Sequence, residues 1–298
     1  MYPQPFRYHR PHSVTDAITL LSELGEGAKP LAGGQSLIPI LKMRMDEPSD
    51  LVDITRIPGL SEIKNEKGVI TIGALCTHAQ IAKSDIATSV QILKDCAGGI
   101  ADPQVRSLGT IGGSVSVADP SSDWPALLFV MDCEIICQGP EGRRAVPIRE
   151  FIVDSYTTTL GDAELVTEIR LPVPAANSGG AYMGFKKAAP AYPAASVAMQ
   201  LTLGKDGKCK NISLALGSAG PLPVTSAEAE AILQGNKLTD ELLEQAATKI
   251  VAASNPPADA RGSSEFKRVI LKSLFMKTAA TAIDRARGSQ IDGTHDYV

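Results

Sequence analysis

The sequence predicts an α+β protein, and three features of its patterning carry that reading. An N-terminal stretch alternates helix-like and strand-like runs as a β–α–β-like unit. A glycine-rich segment from Gly98 to Trp124 then breaks the rhythm. The C-terminal part places hairpin-type strands first and helical periodicities after them. A chain of 298 residues has room for two or three packed units, and 44% hydrophobic with 21% charged residues is an ordinary globular balance.

Ser13 is an N-cap for a helix over 14–24, where Val14, Ala17, Ile18 and Leu21 share a face and Gly25 stops the run. A strand over 30–32 leads into Gly33-Gly34-Gln35-Ser36, a helix starts over 37–42, and 51–54 forms a strand. Residues 69–72 read as a strand turning at 73–75, Thr77 caps a helix over 78–82, and another helix covers 89–96. Between Gly98 and Trp124 lie five glycines (98, 99, 109, 112, 113) and two prolines (103, 120). Its apolar residues Ile100, Val105, Leu108, Ile111, Val115 and Val117 mark it as an ordered, buried loop, and long loops of that kind carry function.

A helix over 125–131, a strand over 134–137, a turn at Glu141-Gly142 and a strand over 144–147 follow. After a strand over 165–171, Pro172–Gly180 reads as a linker. Residues 197–203 and 212–216 alternate as a hairpin about Lys205-Asp206-Gly207. Helices over 226–233, 239–253 and 264–285 close the chain, Ser264 capping the last, and the tail from Gly288 reads as mobile.

Several function classes are disfavoured. The formal net charge of −4 provides no positive field for nucleic acid. No apolar run approaches the ~20 residues that span a bilayer, and the N-terminus lacks a secretory layout, so no membrane span and a cytoplasmic location are expected. Cys76, Cys96, Cys133, Cys137 and Cys209 form no CxxC pair, and Cys133 and Cys137 share one strand face. They read as buried free thiols in a reducing compartment, leaving no iron–sulfur site. The four histidines form no HxxxH or HExxH pair, so no metal site is expected.

Two glycine pairs carry the chemistry. In Leu31-Ala32-Gly33-Gly34-Gln35-Ser36, between a strand and a helix, missing Cβ atoms let backbone N–H groups approach an anion, and the helix start adds partial positive charge. A lone Gly-Gly is more often a tight turn at positive φ, and this one matches neither GxGxxG nor GxxxxGK[ST]. Gly109-Thr110-Ile111-Gly112-Gly113-Ser114 again offers backbone amides beside hydroxyls. Asp123 follows, either as an acceptor for a ribose or adenine or as the N-cap of the next helix. Together the loops fit one diphosphate gripped from two sides, and a side chain at Gly33 or Gly113 is expected to fill the anion site.

The runs PLAGGQSLIPILKMRM, LVDITRIPGL and IADPQVRSLGTIGGSVSVADPSSDWPALL resemble the FAD-binding subunits of the molybdenum hydroxylase family. The resemblance is closest to the medium subunit of the aerobic carbon monoxide dehydrogenase branch and more distant to the xanthine dehydrogenase flavin domain. It runs from Phe6 to about Arg285. It implies a PCMH/vanillyl-alcohol-oxidase-type FAD-binding domain of two subdomains, 1–57 and 58–174. A C-terminal α+β domain over 175–298, an antiparallel sheet with helices, completes the chain.

By the same resemblance, two segments surround the FAD pyrophosphate: Lys29, Pro30, Leu31, Ala32, Gly33, Gly34, Gln35 and Ser36, and Thr110, Ile111, Gly112, Gly113 and Ser114. Asp123 contacts the nucleotide half, Ile100, Ala101 and Val166 lie against the cofactor, and Lys186 matches a basic residue near the flavin. Tyr192 matches a tyrosine stacked near the isoalloxazine; its alternative is a tyrosine packing a loop onto the sheet. Two departures stand out: Gln35 where that branch often has histidine, and Ala191 where an acidic residue often precedes the tyrosine.

The resemblance further implies a heterotrimer, commonly doubled, with a molybdopterin-binding large subunit and a small subunit carrying two [2Fe–2S] clusters. Electrons would pass from those clusters through FAD to an external acceptor, and no residue here would act as a catalytic acid, base or nucleophile. A free-standing flavin oxidase or reductase of the same fold, and a binding module that has lost its flavin, are the alternatives.

Overall fold

The N-terminal layer is a small parallel sheet. In the computed structural model, which describes residues 2–291, β1 (Arg7–His9), β2 (Ala28–Leu31) and β3 (Asp50–Asp53) lie in the order β1-β3-β2. Helix α1 (Val14–Leu24) crosses from β1 to β2; its Ser13 hydroxyl accepts from the Asp16 amide, Ala17, Ile18 and Leu21 are buried, and Gly25 ends it at φ 64°. Helix α2 (Leu37–Lys42) links β2 to β3. Strand β3 is buried throughout, and its Asp50 gathers Arg7 (2.7 Å), His9 (2.6 Å) and the Ser49 hydroxyl (2.7 Å), tying β1 to the sheet.

The second layer is an antiparallel sheet. Strands β4 (Ile63–Glu66), β5 (Val69–Gly73), β6 (Glu134–Gly139), β7 (Gly142–Pro147) and β10 (Leu165–Pro172) lie in the order β4-β5-β10-β6-β7. Between β5 and β6 run α3 (His78–Ala82), α4 (Asp85–Ser89), α5 (Gln91–Gly99), α6 (Pro103–Leu108), α7 (Ile111–Val117) and α8 (Trp124–Val130). Helix α9 (Ile148–Phe151) and the short pair β8 (Ile152–Asp154) and β9 (Thr157–Thr158) connect β7 to β10. The main core fills between sheet and helices around the fully buried Trp124, Ile70, Ile72, Leu93 and Phe151.

The third layer is the sheet β11 (Ser178–Phe185), β12 (Ala195–Leu203) and β13 (Cys209–Gly217), antiparallel and in sequence order. Helices α10 (Ala227–Leu233), α11 (Asp240–Ala252) and α12 (Ser264–Ala286) cover one face. Its other face presents Tyr182, Ala198 and Ala215 to the main core. Being covered on both sides, β12 is buried along most of its length and does not alternate apolar with polar.

Three expectations are corrected. The buried loop over 98–124 contains two helices: Asp102 caps α6 with Pro103 in its first turn, and Thr110 caps α7. The linker read over 172–180 shortens to residues 173–177, because β10 extends to Pro172 and β11 begins at Ser178. Gly179 and Gly180 are there for close packing: a Cβ at Gly179 would lie 2.0 Å from the Ala282 carbonyl oxygen, and one at Gly180 would lie 3.1 Å from Ile92 Cβ. Ser263 rather than Ser264 caps α12. Of the tail expected to be mobile, 292–298 lie outside the described residues.

One buried ion pair pins the layers together. Arg285 of α12 holds Asp95 of α5 with both nitrogens, at 2.5 and 2.9 Å, and also donates to the Gly180 carbonyl at 2.7 Å; the Tyr182 amide donates to Asp95 at 3.2 Å. Arg285→Met leaves a buried carboxylate uncompensated and should lower unfolding stability by about 3–5 kcal/mol, whereas Asp95→Leu/Arg285→Met should lose less. Urea unfolding of the three chains measures the order.

The Asp50 carboxyl is held well below its usual range, first by Arg7, then by Ser49 and His9. A depressed folded-state pKa contributes stability above the unfolded value and loses it as pH falls below about 4. Protection of the β1 amides, as the exchange rate relative to the unstructured chain at the same pH, should therefore fall over that acid range, and Asp50→Asn should show the lower protection already at neutral pH.

Candidate functional site

A cavity of about 620 Å³ opens where the first two layers meet the loop after β11. Its walls include the β2–α2 turn, the starts of α3 and α7, the α5–α6 connection, the start of β10 and residues 190–192. The two glycine loops come together here. A Cβ at Gly33 would sit 2.0 Å from the Leu108 carbonyl oxygen and 2.9 Å from Gly109 Cα, and one at Gly113 would sit 4.0 Å from Ala32 Cβ.

The loops offer different groups. Gly34 stands at φ +70°, which favours glycine. The amides of Gly33, Gly34, Gln35 and Ser36 donate to no protein acceptor among the described residues. In the second loop the Ile111 amide donates to the Cys76 carbonyl (3.1 Å), Gly112 to the Ala74 carbonyl (2.9 Å) and Gly113 to Thr110 Oγ1 (3.2 Å). These amides are already turned to protein acceptors, so this loop presents hydroxyls: Ser114, bonded to Ser122 at 2.8 Å, and Ser116 all line the cavity.

Steric reasoning at the glycines is also corrected. A side chain at Gly33, expected to fill the anion site, would instead strike the Leu108 backbone, so its absence lets chain segments touch; one at Gly113 would meet only the Thr110 hydroxyl closely, at 2.9 Å.

Of the residues named from sequence, Lys29, Pro30, Ala32, Gly33, Gly34, Gln35, Ser36, Ile100, Ala101, Thr110, Gly112, Gly113, Ser114, Asp123, Val166 and Tyr192 line this cavity. Leu31, Ile111 and Lys186 do not: Ile111 is fully buried in the main core behind the wall. Lys186 instead donates to the Gly99 carbonyl at 2.6 Å and pairs with Asp123 at 3.2 Å. Asp123 precedes α8 yet makes no side-chain cap bond; its carboxylate also accepts from the Tyr182 hydroxyl at 2.8 Å. Val166 sits at a bulge where β10 shifts register against β6, a feature that re-aims side chains beside sites.

The family described as "FAD binding domain in molybdopterin dehydrogenase" matches residues 4–174, and "CO dehydrogenase flavoprotein C-terminal domain" matches 180–282. The chain belongs to the family of FAD-binding medium subunits of molybdenum hydroxylases. It is 38% identical to the carbon monoxide dehydrogenase medium chain of Afipia carboxidovorans over 96% of this chain and 100% of that one. It is 34% identical to the 6-hydroxypseudooxynicotine dehydrogenase complex subunit alpha of Paenarthrobacter nicotinovorans, over 99% of this chain and 100% of that one. A solved carbon monoxide dehydrogenase from Hydrogenophaga pseudoflava superposes with a TM-score of 0.92 at 37% identity, covering 96% of this chain and 99% of that one. As a medium subunit of this family, the chain is an FAD-binding oxidoreductase component.

Sequence reasoning missed several cavity residues of this medium subunit. Tyr156 lines the mouth from a left-handed backbone (φ 56°), its amide bonded to the Ala118 carbonyl at 2.8 Å; no local motif announces it. His78, read only as the start of a helix, lines the wall. Asp46 lines the rim 4.0 Å from Lys29 Nζ. Among the described residues no cluster of His, Cys, Asp and Glu could hold a metal, and no helix is long and apolar enough to cross a membrane.

Because a Cβ at Gly33 meets backbone that cannot step aside, Gly33→Ala should destabilise the chain by about 1–3 kcal/mol through overpacking. Gly113→Ala, whose Cβ would meet only the Thr110 hydroxyl closely (2.9 Å), should cost less. Thermal unfolding of the two variants checks that ranking.

Proposed function

We propose that this cavity holds FAD, and that the chain relays electrons from the [2Fe–2S] clusters of a small subunit to an external acceptor while a molybdopterin-binding large subunit oxidises the substrate. One observation carries the assignment: four consecutive residues whose amides have no partner among the described residues, Gly33–Ser36, line a cavity of about 620 Å³. They suit a pyrophosphate, because successive backbone N–H groups can stabilise an anion without a side-chain charge. The cavity's size lies within the ordinary range for an organic cofactor.

Bound FAD supplies both one-electron exchange with clusters and two-electron exchange with acceptors. The chain's own residues bind and orient. In this reading Lys29–Ser36 and Thr110–Ser114 surround the pyrophosphate, with Leu31 and Ile111 packed behind. Asp123, fixed by Tyr182 and Lys186, accepts from the nucleotide half. Ile100, Ala101, Val166 and Tyr192 form the walls against the ring system and exclude water from it.

The packing units are proposed as 1–57, 58–174 and 175–298; one hydrophobic cluster lies wholly within 175–298, while the other two join residues across the boundaries, Leu60, Leu75, Ala163 and Leu165 packing with the first unit and Tyr182, Ala198 and Ala215 with the second. The assembly is proposed as a heterotrimer doubled by a two-fold axis. Leu108, Met43 and Met45 are exposed large apolar residues close in sequence to the cavity residues Gly109 and Asp46, and they support a partner surface. A cytoplasmic location is supported by five free, buried cysteines.

Purified full-length chain, alone and with its partner subunits, should take up FAD with a flavin absorption spectrum. It should oxidise no substrate without the large subunit. A chain that stays colourless in both preparations, or one that oxidises substrates alone, defeats the assignment.

A further inference from the structure

The GTIGG loop begins with a glycine that neither an anion nor a turn requires. Gly109 has no positive φ, and a Cβ there would lie 2.9 Å from His78 Nε2 and 3.0 Å from His78 Cδ2. The imidazole edge occupies the place of the missing side chain. Backbone bonds lock that arrangement: the His78 amide donates to the Gly109 carbonyl at 3.0 Å, the Ile111 amide donates to Cys76, and Thr77 bridges Thr110. Thr77 and Gln80 also form a reciprocal cap at the start of α3, so the ring's stem is fixed from both sides.

The ring's protonation follows from its neighbours. Trp124 Nε1–H, which can only donate, bonds to His78 Nδ1 at 3.1 Å. Nδ1 is therefore the acceptor nitrogen. Burial, with the charges of Arg106 and Lys186, pushes the histidine down to about 4, so the ring is neutral at physiological pH and its single proton sits on Nε2. That side chain is only 5% exposed, lines the cavity, and its Nε2–H has no acceptor among the described residues. Nε2 is not among the buried side-chain atoms left without a partner, so its N–H reaches cavity space, where an acceptor atom of a ligand can take the place of water.

We propose that His78 is a cofactor-binding residue, its Nε2–H donating a hydrogen bond to an acceptor atom of the bound flavin dinucleotide, with Trp124 holding the tautomer and Gly109 making room for the ring. This rests on the flavin assignment above. The same geometry explains why Trp124 is fully buried with its indole N–H satisfied, and why the loop carries a glycine at 109 in addition to the pair at 112–113.

The test titrates the full-length apo-chain with FAD by calorimetry and follows histidine-selective ¹⁵N NMR. His78→Phe should weaken FAD binding roughly tenfold, the loss expected for one buried hydrogen bond. His78→Gln, which retains an N–H donor, should recover most of that loss. In wild-type protein the Nε2–H resonance should report the Nε2-protonated tautomer before FAD is added and shift once it binds. A folded His78→Phe chain that binds FAD like wild type overturns the proposal, as does a Gln variant no better than Phe. Should His78→Phe fail to fold, the wild-type resonance decides: one that stays put on FAD binding overturns the proposal. A wild-type chain that binds no FAD defeats the flavin assignment itself, an outcome distinct from wild type and variant binding alike.

Discussion

The site depends on close packing at positions without a Cβ. Gly33 lies against the Leu108 carbonyl, Gly112 against Ala74, and Gly109 against the His78 ring. Each contact is closer than any side chain permits, and together they draw the turn after β2, the start of α3 and the start of α7 onto one cavity. Glycine is used here less to free the backbone than to thin it, so that three separate chain segments share a wall. Only Gly34, at φ +70°, is demanded by conformation.

The same device recurs where the layers join. Gly179 admits α12 against β11, Gly180 faces Ile92 of α5, and the buried Arg285–Asp95 pair closes over the junction. From there the connection to the site is short. Tyr182, whose amide holds Asp95, places its hydroxyl on Asp123, and Lys186 holds Asp123 from the same strand–loop segment. The C-terminal domain therefore contributes through this polar chain to the geometry of a cavity built mostly by the N-terminal layers. It also supplies Tyr192 directly. Removing it would leave Asp123 without its two side-chain partners.

Capping and amphipathic spacing made much of the fold legible. Ser13 and Thr77 each accept from the amide predicted for a cap, and α1 buries the face that its periodicity marks. The misreadings at glycine and proline share one cause. In 98–124 and in 178–180 glycine and proline read as loop signals, whereas the structure uses Pro103 to begin a helix and Gly179–Gly180 inside a strand. Local rules assign these residues to turns because they cannot see the packing partner that makes them favourable.

Two stretches of the cavity wall are legible in local sequence. Motifs of small residues and hydroxyls around 29–36 and 110–114 are local and survive as patterns, and so is the absence of cluster-forming cysteines. Tertiary structure alone decided which of those groups remain available. The second loop's amides are consumed by Ala74, Cys76 and Thr110, while those of Gly33–Ser36 stay open. It alone brought in Tyr156, and His78 with its Trp124-fixed tautomer, 46 positions apart. Hydrogen-bond donors are legible in a sequence; whether a donor is already satisfied depends on partners distant along the chain, and no local pattern encodes that.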